Sequence, residues 1–224
     1  MKKVYSIIFA ALAIILSTSP AFARKFKHEK ELDALYFPRN EIYIQYGTPT
    51  ILELVTMLKT PTNFEGFETT GHIFTGTPGV GYNFFLEDNF SIGIFGGYSF
   101  AQCDVRKDNN GEEGPIIYTE GVNNYVGQLS ANWTYYQDDE LTLQTGLYLG
   151  VSFMDRDVTI NNAFISGTIL TPEQLNQLPS SSEQLKLAYH FTACKIRYGN
   201  TFGVFGELGF GFRGLVNVGL SIKL

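Results

Sequence analysis

Residues 216–224 read VNVGLSIKL and alternate between aliphatic side chains and small or polar ones. The aliphatic set is Val216, Val218, Leu220, Ile222 and Leu224. Successive side chains of a β-strand point to opposite faces, so the pattern predicts a strand with one aliphatic face and one polar face. A strand of a soluble β-sandwich shows the same alternation, and this segment alone does not identify what surrounds it.

Strands of this kind recur along the chain. The eight predicted strands cover residues 41–47, 70–86, 90–100, 124–135, 141–153, 185–198, 202–211 and 216–224. The connections after the second, fourth and sixth strands are tight, at residues 87–89, 138–140 and 199–200, and those after the first, third and fifth are long. This pattern predicts an all-β fold, a closed antiparallel up-and-down transmembrane β-barrel with short periplasmic turns and long extracellular loops.

The two faces of these strands favour lipid as the outer solvent. In the fifth strand Leu147, Leu149 and Val151 share one face, and a tyrosine and two glycines occupy the other. A soluble barrel turns its large apolar side chains inward, whereas a barrel in lipid turns them outward and fills or wets its interior with the polar set. The outward set of the seventh strand is Phe202, Val204, Leu208, Phe210 and Phe212. Lys195 and Arg197 also take the outward phase, in the sixth strand, so their charged heads would have to reach the membrane interface.

Residues 1–23 have the pattern of a cleaved secretory signal. Lys2 and Lys3 precede an apolar run, and Ala21-Phe22-Ala23 is a small-x-small cleavage pattern. The apolar run is about ten residues long, too short for the ~20 of a spanning helix. Residues 24–38 are charged and lack alternation, so we interpret them as a periplasmic lead-in. The barrel domain is then residues 39–224.

Composition excludes one class of partner. Loss of Lys2 and Lys3 with the signal lowers the net charge of −6 by two, to −8, and such an acidic chain is not expected to bind nucleic acid. Aromatic residues make up 15% of the chain, and the mean hydropathy is −0.01. No window after the signal is apolar enough to span a membrane as a helix. A membrane protein of this composition therefore has to be a closed barrel.

Several connections carry local signals. Residues 51–58, behind a capping threonine at position 50, show a short helix pattern, and Thr171-Pro172-Glu173 predicts the start of a second helix. Both helices are expected to fold over the barrel mouth. Asp104–Gly114 is rich in Asp, Asn, Glu and Gly, but its spacing fails the calcium-loop pattern, so we interpret it as a solvated surface loop.

Two features depart from a regular barrel. Pro78 cannot donate a ladder hydrogen bond, and Gly76 and Gly79 beside it predict a β-bulge. Cys103 and Cys194 are the only cysteines of an exported chain. They lie near opposite ends of strands that are not neighbours, so we expect no disulfide between them.

With its strands laid out, the chain resembles the small outer-membrane β-barrels whose simplest members are the eight-stranded OmpA and OmpX types. The resemblance begins at about Glu41 and rests on the strand pattern and on residues 198–224, YGNTFGVFGELGFGFRGLVNVGLSIKL, which look like the final hairpin of that family. In the family the last strand is also the signal read by the outer-membrane assembly machinery, and it usually ends in an aromatic residue. Leu224 departs from that ending, but the alternation at Val216, Val218, Leu220 and Ile222 is kept. The resemblance therefore implies the insertion role for this strand.

Strand phase places Glu207 inside the predicted barrel. Its candidate partners are His190 on the sixth strand and the inward-phased Arg213. Glu41 and Lys223 are placed to pair where the first and last strands close. A buried carboxylate is costly without a partner, so we predict a structural polar network that fills the lumen, with a proton or ion path as the alternative.

The function expected from these patterns is that of an integral protein of the cell outer membrane. We expect a monomer that contacts outer-membrane lipids and lipopolysaccharide and has a structural or surface-interaction role, in envelope integrity or in adhesion through its extracellular loops. The sequence identifies no loop partner. No enzymatic activity, cofactor or metal is expected.

Three alternatives stay open. A narrow channel is favoured if inward glycines such as Gly93 and Gly146 leave a continuous wet path. An outer-membrane acyl hydrolase would need His28, His72 or His190 beside a serine nucleophile, and no nucleophile motif is recognisable. A secreted soluble barrel with a small apolar ligand would have to hide its aliphatic faces.

Overall fold

The computed structural model describes residues 39–58, 67–109, 112–161 and 180–224, and this part of the chain is almost entirely antiparallel strand. The strands are β1 (Asn40–Thr48), β2 (Phe67–Phe74), β3 (Thr77–Glu87), β4 (Phe90–Asn109), β5 (Glu112–Gln137), β6 (Leu141–Ile160), β7 (Ser182–Tyr198), β8 (Phe202–Gly211) and β9 (Val216–Lys223). One helix, α1 (Ile51–Leu58), follows β1. The proposed signal, the lead-in and Thr171-Pro172-Glu173 lie outside the described residues.

Eight of these strands form a closed ring. The order is β1-β3-β4-β5-β6-β7-β8-β9, and β9 returns to β1 with a register from Glu41 opposite Lys223 to Thr48 opposite Val216. Every pairing is antiparallel and joins neighbours in the ring. The predicted all-β, closed up-and-down barrel of eight strands is confirmed.

The predicted second strand is broken in two. β2 and β3 both pair with β4, and the break lies at Thr75 and Gly76, where Gly76 has a positive φ of 63°. Phe74 pairs with Ala101 and Gly79 with Gly97, so four residues of one chain segment stand opposite three of the other. The irregularity predicted at Pro78 therefore lies just before it, and Pro78 itself is part of β3.

The two ends of the barrel differ. At one end, which we call the short-turn end, turns of two or three residues join β3 to β4, β5 to β6 and β7 to β8. At the other, the long-hairpin end, three strands extend past the rest. The whole of β5 is 26 residues long, and β4 and β6 are 20 residues each. Beyond the ring, β2 and the outer parts of β4, β5 and β6 form what we call the projecting sheet.

The interpretation of Asp104–Gly114 as a solvated surface loop is corrected by the projecting sheet. Its described residues belong to β4 and β5, which remain paired as far as Asn109 opposite Glu112. Asp, Asn and Gly are poor strand formers, and their abundance concealed a hairpin that is stabilised by pairing with strands on both sides.

The outer wall of the ring is aliphatic and aromatic. Exposed residues distributed around it include Ile44, Ile94, Leu129, Leu149, Leu187, Val204 and Leu220. The interior carries the alternate set, which includes Tyr43, Phe95, Gln128, Tyr148, His190, Phe205 and Glu207, all buried. The aliphatic faces of the strands therefore point outward and the alternate faces point into the barrel, as predicted. In the described residues, no helix is long and apolar enough to span a membrane.

A bulge in β7 reverses the predicted phase of two cations. Thr192 pairs with Gly209 and Cys194 with Leu208, which leaves Ala193 as an extra residue. Because one inserted residue exchanges the two faces of a strand, Lys195 and Arg197 lie inside the barrel and are 3% and 1% exposed. The prediction that they face lipid is wrong.

The turn after β8 corrects the placement of Phe212. β8 ends at Gly211, whose φ of 143° lies in the region that favours glycine, and the chain there turns into the barrel. Phe212 is buried with the lumen aromatics instead of facing outward. Arg213 follows it into the interior and has no exposed surface.

The helix predicted at residues 51–58 is confirmed as α1. The Oγ1 atom of Thr50 accepts a hydrogen bond from the Glu53 N–H at 3.1 Å, and a Glu53 carboxylate oxygen accepts one from the Thr50 N–H at 2.6 Å. This reciprocal capping box fixes the start of the helix. Cys103 and Cys194 form no disulfide with each other.

Candidate functional site: the filled lumen

Glu207 is the centre of a buried network near the middle of the barrel. Its Oε1 atom lies 2.9 Å from His190 Nε2 and accepts a hydrogen bond from Asn217 Nδ2 at 3.1 Å. Its Oε2 atom accepts one from Arg213 Nη2 at 3.2 Å. Arg213 also donates to the side-chain oxygen of Gln45 on β1. Four polar side chains from β1, β7, β9 and the β8–β9 turn therefore surround or extend from one carboxylate.

Aromatic rings enclose the guanidinium group of Arg213. Its Cζ atom lies 4.0 Å from the ring centre of Tyr148 and 4.8 Å from that of Phe95, and Tyr43 is a third neighbour at 5.9 Å. Such cation–π contacts gain strength where water is excluded, as it is around this buried group. The same rings belong to the main buried cluster of the barrel, together with Phe205 and Phe212.

A second network lies nearer the short-turn end. The Oε1 atom of Glu41 forms an ion pair with Arg197 Nε at 3.2 Å, and its Oε2 atom lies 3.9 Å from Lys195 Nζ. Asn83 donates a hydrogen bond to Glu41 at 2.9 Å. Arg197 also donates to Ser221 and to backbone carbonyl groups of the β7–β8 turn. This arginine thus fastens the turn to the seam between β1 and β9.

Glu41 and Lys223 are backbone partners across the closing seam, as the sequence suggested, but they do not form an ion pair. The amine of Lys223 is instead 3.4 Å from Thr142 Oγ1 and lies over the ring of Phe85. The partners of Glu41 are instead Lys195 and Arg197, the two cations that the β7 bulge directs inward. The bulge therefore explains why the pairing differs from the expected one.

The lumen glycines provide room for large neighbours. A Cβ atom at Gly203 would lie 2.5 Å from the Arg197 guanidinium carbon. Similarly, a Cβ at Gly81 would clash with the ring of Tyr43, and one at Gly79 with the ring of Phe95. These close approaches show that bulky side chains from adjacent strands occupy the space that the glycines leave.

The projecting sheet has a small core of its own. Val105, Ile117 and Tyr118 are buried together, and Arg156 forms an ion pair with Glu120 at 2.7 Å beside them. Burial raises the pKa of the Tyr118 hydroxyl, and the adjacent Glu120 carboxylate raises it further. In the described part of the chain, no three His, Cys, Asp or Glu side chains are grouped as metal ligands would be.

The structure brings together three of the residues chosen from the sequence, Glu207, His190 and Arg213. It adds Asn217 and Gln45 to them. Asn217 lies in the polar phase of the last strand and Gln45 in that of the first, so strand alternation already marked both as lumen residues. Lys195 and Arg197 were not identifiable as lumen residues, because no feature of the sequence locates the bulge at Ala193.

A closed eight-stranded antiparallel barrel with an aliphatic outer wall and charged pairs inside belongs to the class of small transmembrane β-barrels. No family model and no curated protein matches the chain. Among solved structures, the chain is similar to the N-terminal β-barrel domain of Pseudomonas aeruginosa OprF, with 12% identity, coverage of 83% of this chain and 98% of that one, and a TM-score of 0.38.

The chain is also similar to Ail, the attachment invasion locus protein of Yersinia pestis. The identity is again 12%, the match covers 82% of this chain and 93% of that one, and the TM-score is 0.35. At these TM-scores neither likeness supports a conclusion about this chain. Its class follows from its own strand pairing and from the distribution of its side chains.

Proposed function

We propose that the protein is an integral outer-membrane β-barrel with a filled lumen, whose role is structural or surface-interacting. The observation that carries this proposal is the aliphatic outer wall, because leucines and isoleucines around the whole ring would be costly to expose to water. Lipid removes that cost. Single-chain barrels of the bacterial outer membrane have an even number of strands, and this ring has eight.

The unequal ends support an orientation. A tilted strand crosses a bilayer in about 9–11 residues, which matches β1, β3 and β8, whereas β5 has 26 residues. The surplus of β4, β5 and β6 forms the projecting sheet, and short turns face the periplasm in such barrels. The projecting sheet is then extracellular, where it presents a rigid surface to the surroundings.

The lumen favours a closed barrel over a channel and over an enzyme. Eight strands enclose an interior just wide enough for side chains, and here aromatic rings and ion pairs occupy it. His190 is fully buried against Glu207, where it serves a structural network. We therefore propose no catalytic role for it, and no cofactor.

The aliphatic outer wall and the last strand, β9, are the basis for the partners that we propose. Outer-membrane lipids and lipopolysaccharide would cover the aliphatic wall of a monomer. The assembly machinery would read β9, where Val216, Val218, Leu220, Ile222 and Leu224 are exposed on one face. The resemblance stated above is the basis for that role.

Cell fractionation tests the proposal. We expect the mature protein, beginning near Arg24, in the outer-membrane fraction as a species whose electrophoretic mobility changes on heating. Heat modifiability reports a closed barrel that resists detergent and so checks the fold, and the fraction in which the protein is recovered checks its location. Recovery of a folded protein in the soluble periplasm would overturn the proposal.

A further inference from the structure

α1 lies over the long-hairpin end of the lumen. It follows β1 directly, and Ile51 in its first turn packs against the buried aromatic cluster that fills the barrel. The β8–β9 turn lies beside the end of β1, because β9 pairs with β1, and it contributes Phe212 to the same cluster. The Leu215 N–H donates a hydrogen bond to the Pro49 carbonyl at 2.8 Å, which joins the two segments where the chain leaves β1. We call residues 49–58, which are Pro49, Thr50 and α1, the lid.

Glu53 ties the lid to the barrel wall. The side chain has no exposed surface, and its Oε1 atom accepts a hydrogen bond from the Gly76 N–H at 2.8 Å. Its Oε2 atom accepts the capping bond from Thr50. A capping box needs only the second of these bonds. The first crosses from the lid to the break between β2 and β3, so this one carboxylate both starts the helix and fastens it to the wall.

The receiving site for this bond is shaped by Gly76. The residue has a φ of 63°, and a Cβ atom there would lie 2.7 Å from the Gly47 carbonyl oxygen and from the ring of Tyr46. The break between β2 and β3 therefore presents the Gly76 N–H to Glu53 in a conformation that favours glycine. Farther along α1, Val55 is half-exposed, and its side chain is not part of this attachment.

The lid is held at two places. The hydrogen bond at Pro49 lies where the lid leaves β1, and the hydrogen bond at Glu53 lies farther along the lid. Breaking the bond to Gly76 would loosen α1 from the wall, and rotation about Pro49 would then lift Ile51 from the aromatic cluster that it covers. We propose that α1 is a lid latched by Glu53, and that release of the latch opens the lumen to small hydrophilic molecules from the long-hairpin end. This goes beyond the structural role proposed above, since it gives the filled barrel a second, open state.

A buried cysteine inside the lumen provides the readout. Ser152 has no exposed surface and donates to Asn124 within the lumen, so Ser152→Cys can report access in a chain whose own two cysteines are replaced by alanine. The purified, folded barrel in detergent is treated with a small water-soluble methanethiosulfonate, which makes the result independent of cellular location. The variants are Glu53→Ala, Glu53→Gln and the matched control Val55→Ala.

We expect slow labelling of the reporter when the latch is intact. Glu53→Ala should label at least about tenfold faster, because losing a hydrogen bond to a charged group shifts an opening equilibrium by such a factor. Glu53→Gln should be intermediate, since its amide keeps one acceptor oxygen, and Val55→Ala should match the parent. Equal labelling of Glu53→Ala and the parent, with heat modifiability retained, would overturn the proposal. Failure of both Glu53 variants to fold while Val55→Ala folds would overturn it too, because Glu53 would then be a folding determinant and not a latch.

Discussion

Each buried carboxylate in the ring of strands is compensated by groups from several strands. Glu207 is held by His190, Arg213 and Asn217, and Glu41 by Arg197 and Asn83, so neither charge remains alone in a low-dielectric interior. Strand phase was sufficient to place Glu207 and His190, because the relevant parts of β7 and β8 keep strict alternation. Phase could not give the partners of Glu41, which depend on the position of a single extra residue.

Replacement of Glu207 by alanine should destabilise the barrel. The change leaves buried His190, Arg213 and Asn217 groups without their acceptor, and we expect the free energy of unfolding to fall by about 1–3 kcal/mol. Urea unfolding of the refolded protein, followed by the fluorescence of Trp133, the only tryptophan, measures this. Glu87→Ala, at the exposed end of β3 beside the β3–β4 turn, is the matched control and should change stability little. A Glu207→Ala variant as stable as that control would mean that the network does not contribute to stability.

At the scale of elements, the sequence predicts strands more accurately than their irregularities. Alternation over β6 and β9 determines both the strand and its faces, since a one-residue slip would expose polar side chains to lipid. The bulge at Ala193, the break at Gly76 and the inward turn at Gly211 each depend on the pairing of distant strands. The outer part of the β4–β5 hairpin was missed for a related reason, because pairing overrides its unfavourable composition.

Ala193 should be dispensable for folding because it is the extra residue of the β7 bulge. Its deletion makes the ladder regular from Thr192 to Cys194, and alternation then still directs Lys195 and Arg197 into the lumen. We expect the deletion variant to give a folded, heat-modifiable fraction close to that of the parent after refolding into bilayers. Deletion of Leu149, in a regular part of β6, is the matched control, and it should lower that fraction strongly because it exchanges the two faces of the rest of the strand. Equal loss of folding in the two deletion variants would show that Ala193 is not a surplus residue.

For the whole molecule, barrel closure and a filled lumen follow from the same sequence. Large residues on one strand occupy the space left by glycines on its neighbour, as Tyr43 does opposite Gly81 and Phe95 opposite Gly79. Strand phase predicts both the inward glycines and the bulky inward residues, but it does not decide whether a channel remains between them. In the structure the rings of Tyr43 and Phe95 stand at these glycine positions, which supports a closed lumen.

Planar bilayers should therefore record at most small and infrequent currents from the purified protein. The physical reason is that aromatic rings and the ion pairs of Arg213 and Glu41 occupy the cross-section of the barrel. Stable porin-like steps that disappear when tryptophan is introduced at Gly93 or Gly146 would favour the channel alternative instead.

The central claim is that the aliphatic wall contacts lipid and the alternate residues do not. A spin-label scan from Leu147 to Val151 of β6, one position at a time in the protein reconstituted in phospholipid bilayers, tests it most directly. Leu147, Leu149 and Val151 are exposed on the outer wall, and Tyr148 is buried inside. We predict that accessibility to oxygen, which partitions into lipid, is high at the three outward positions and low at Tyr148. Gly150 is left out of the scan, because a Cβ atom there would clash with the Gly127 carbonyl oxygen. High accessibility of the outward positions to a water-soluble nickel complex, or no alternation at all, would contradict the claim.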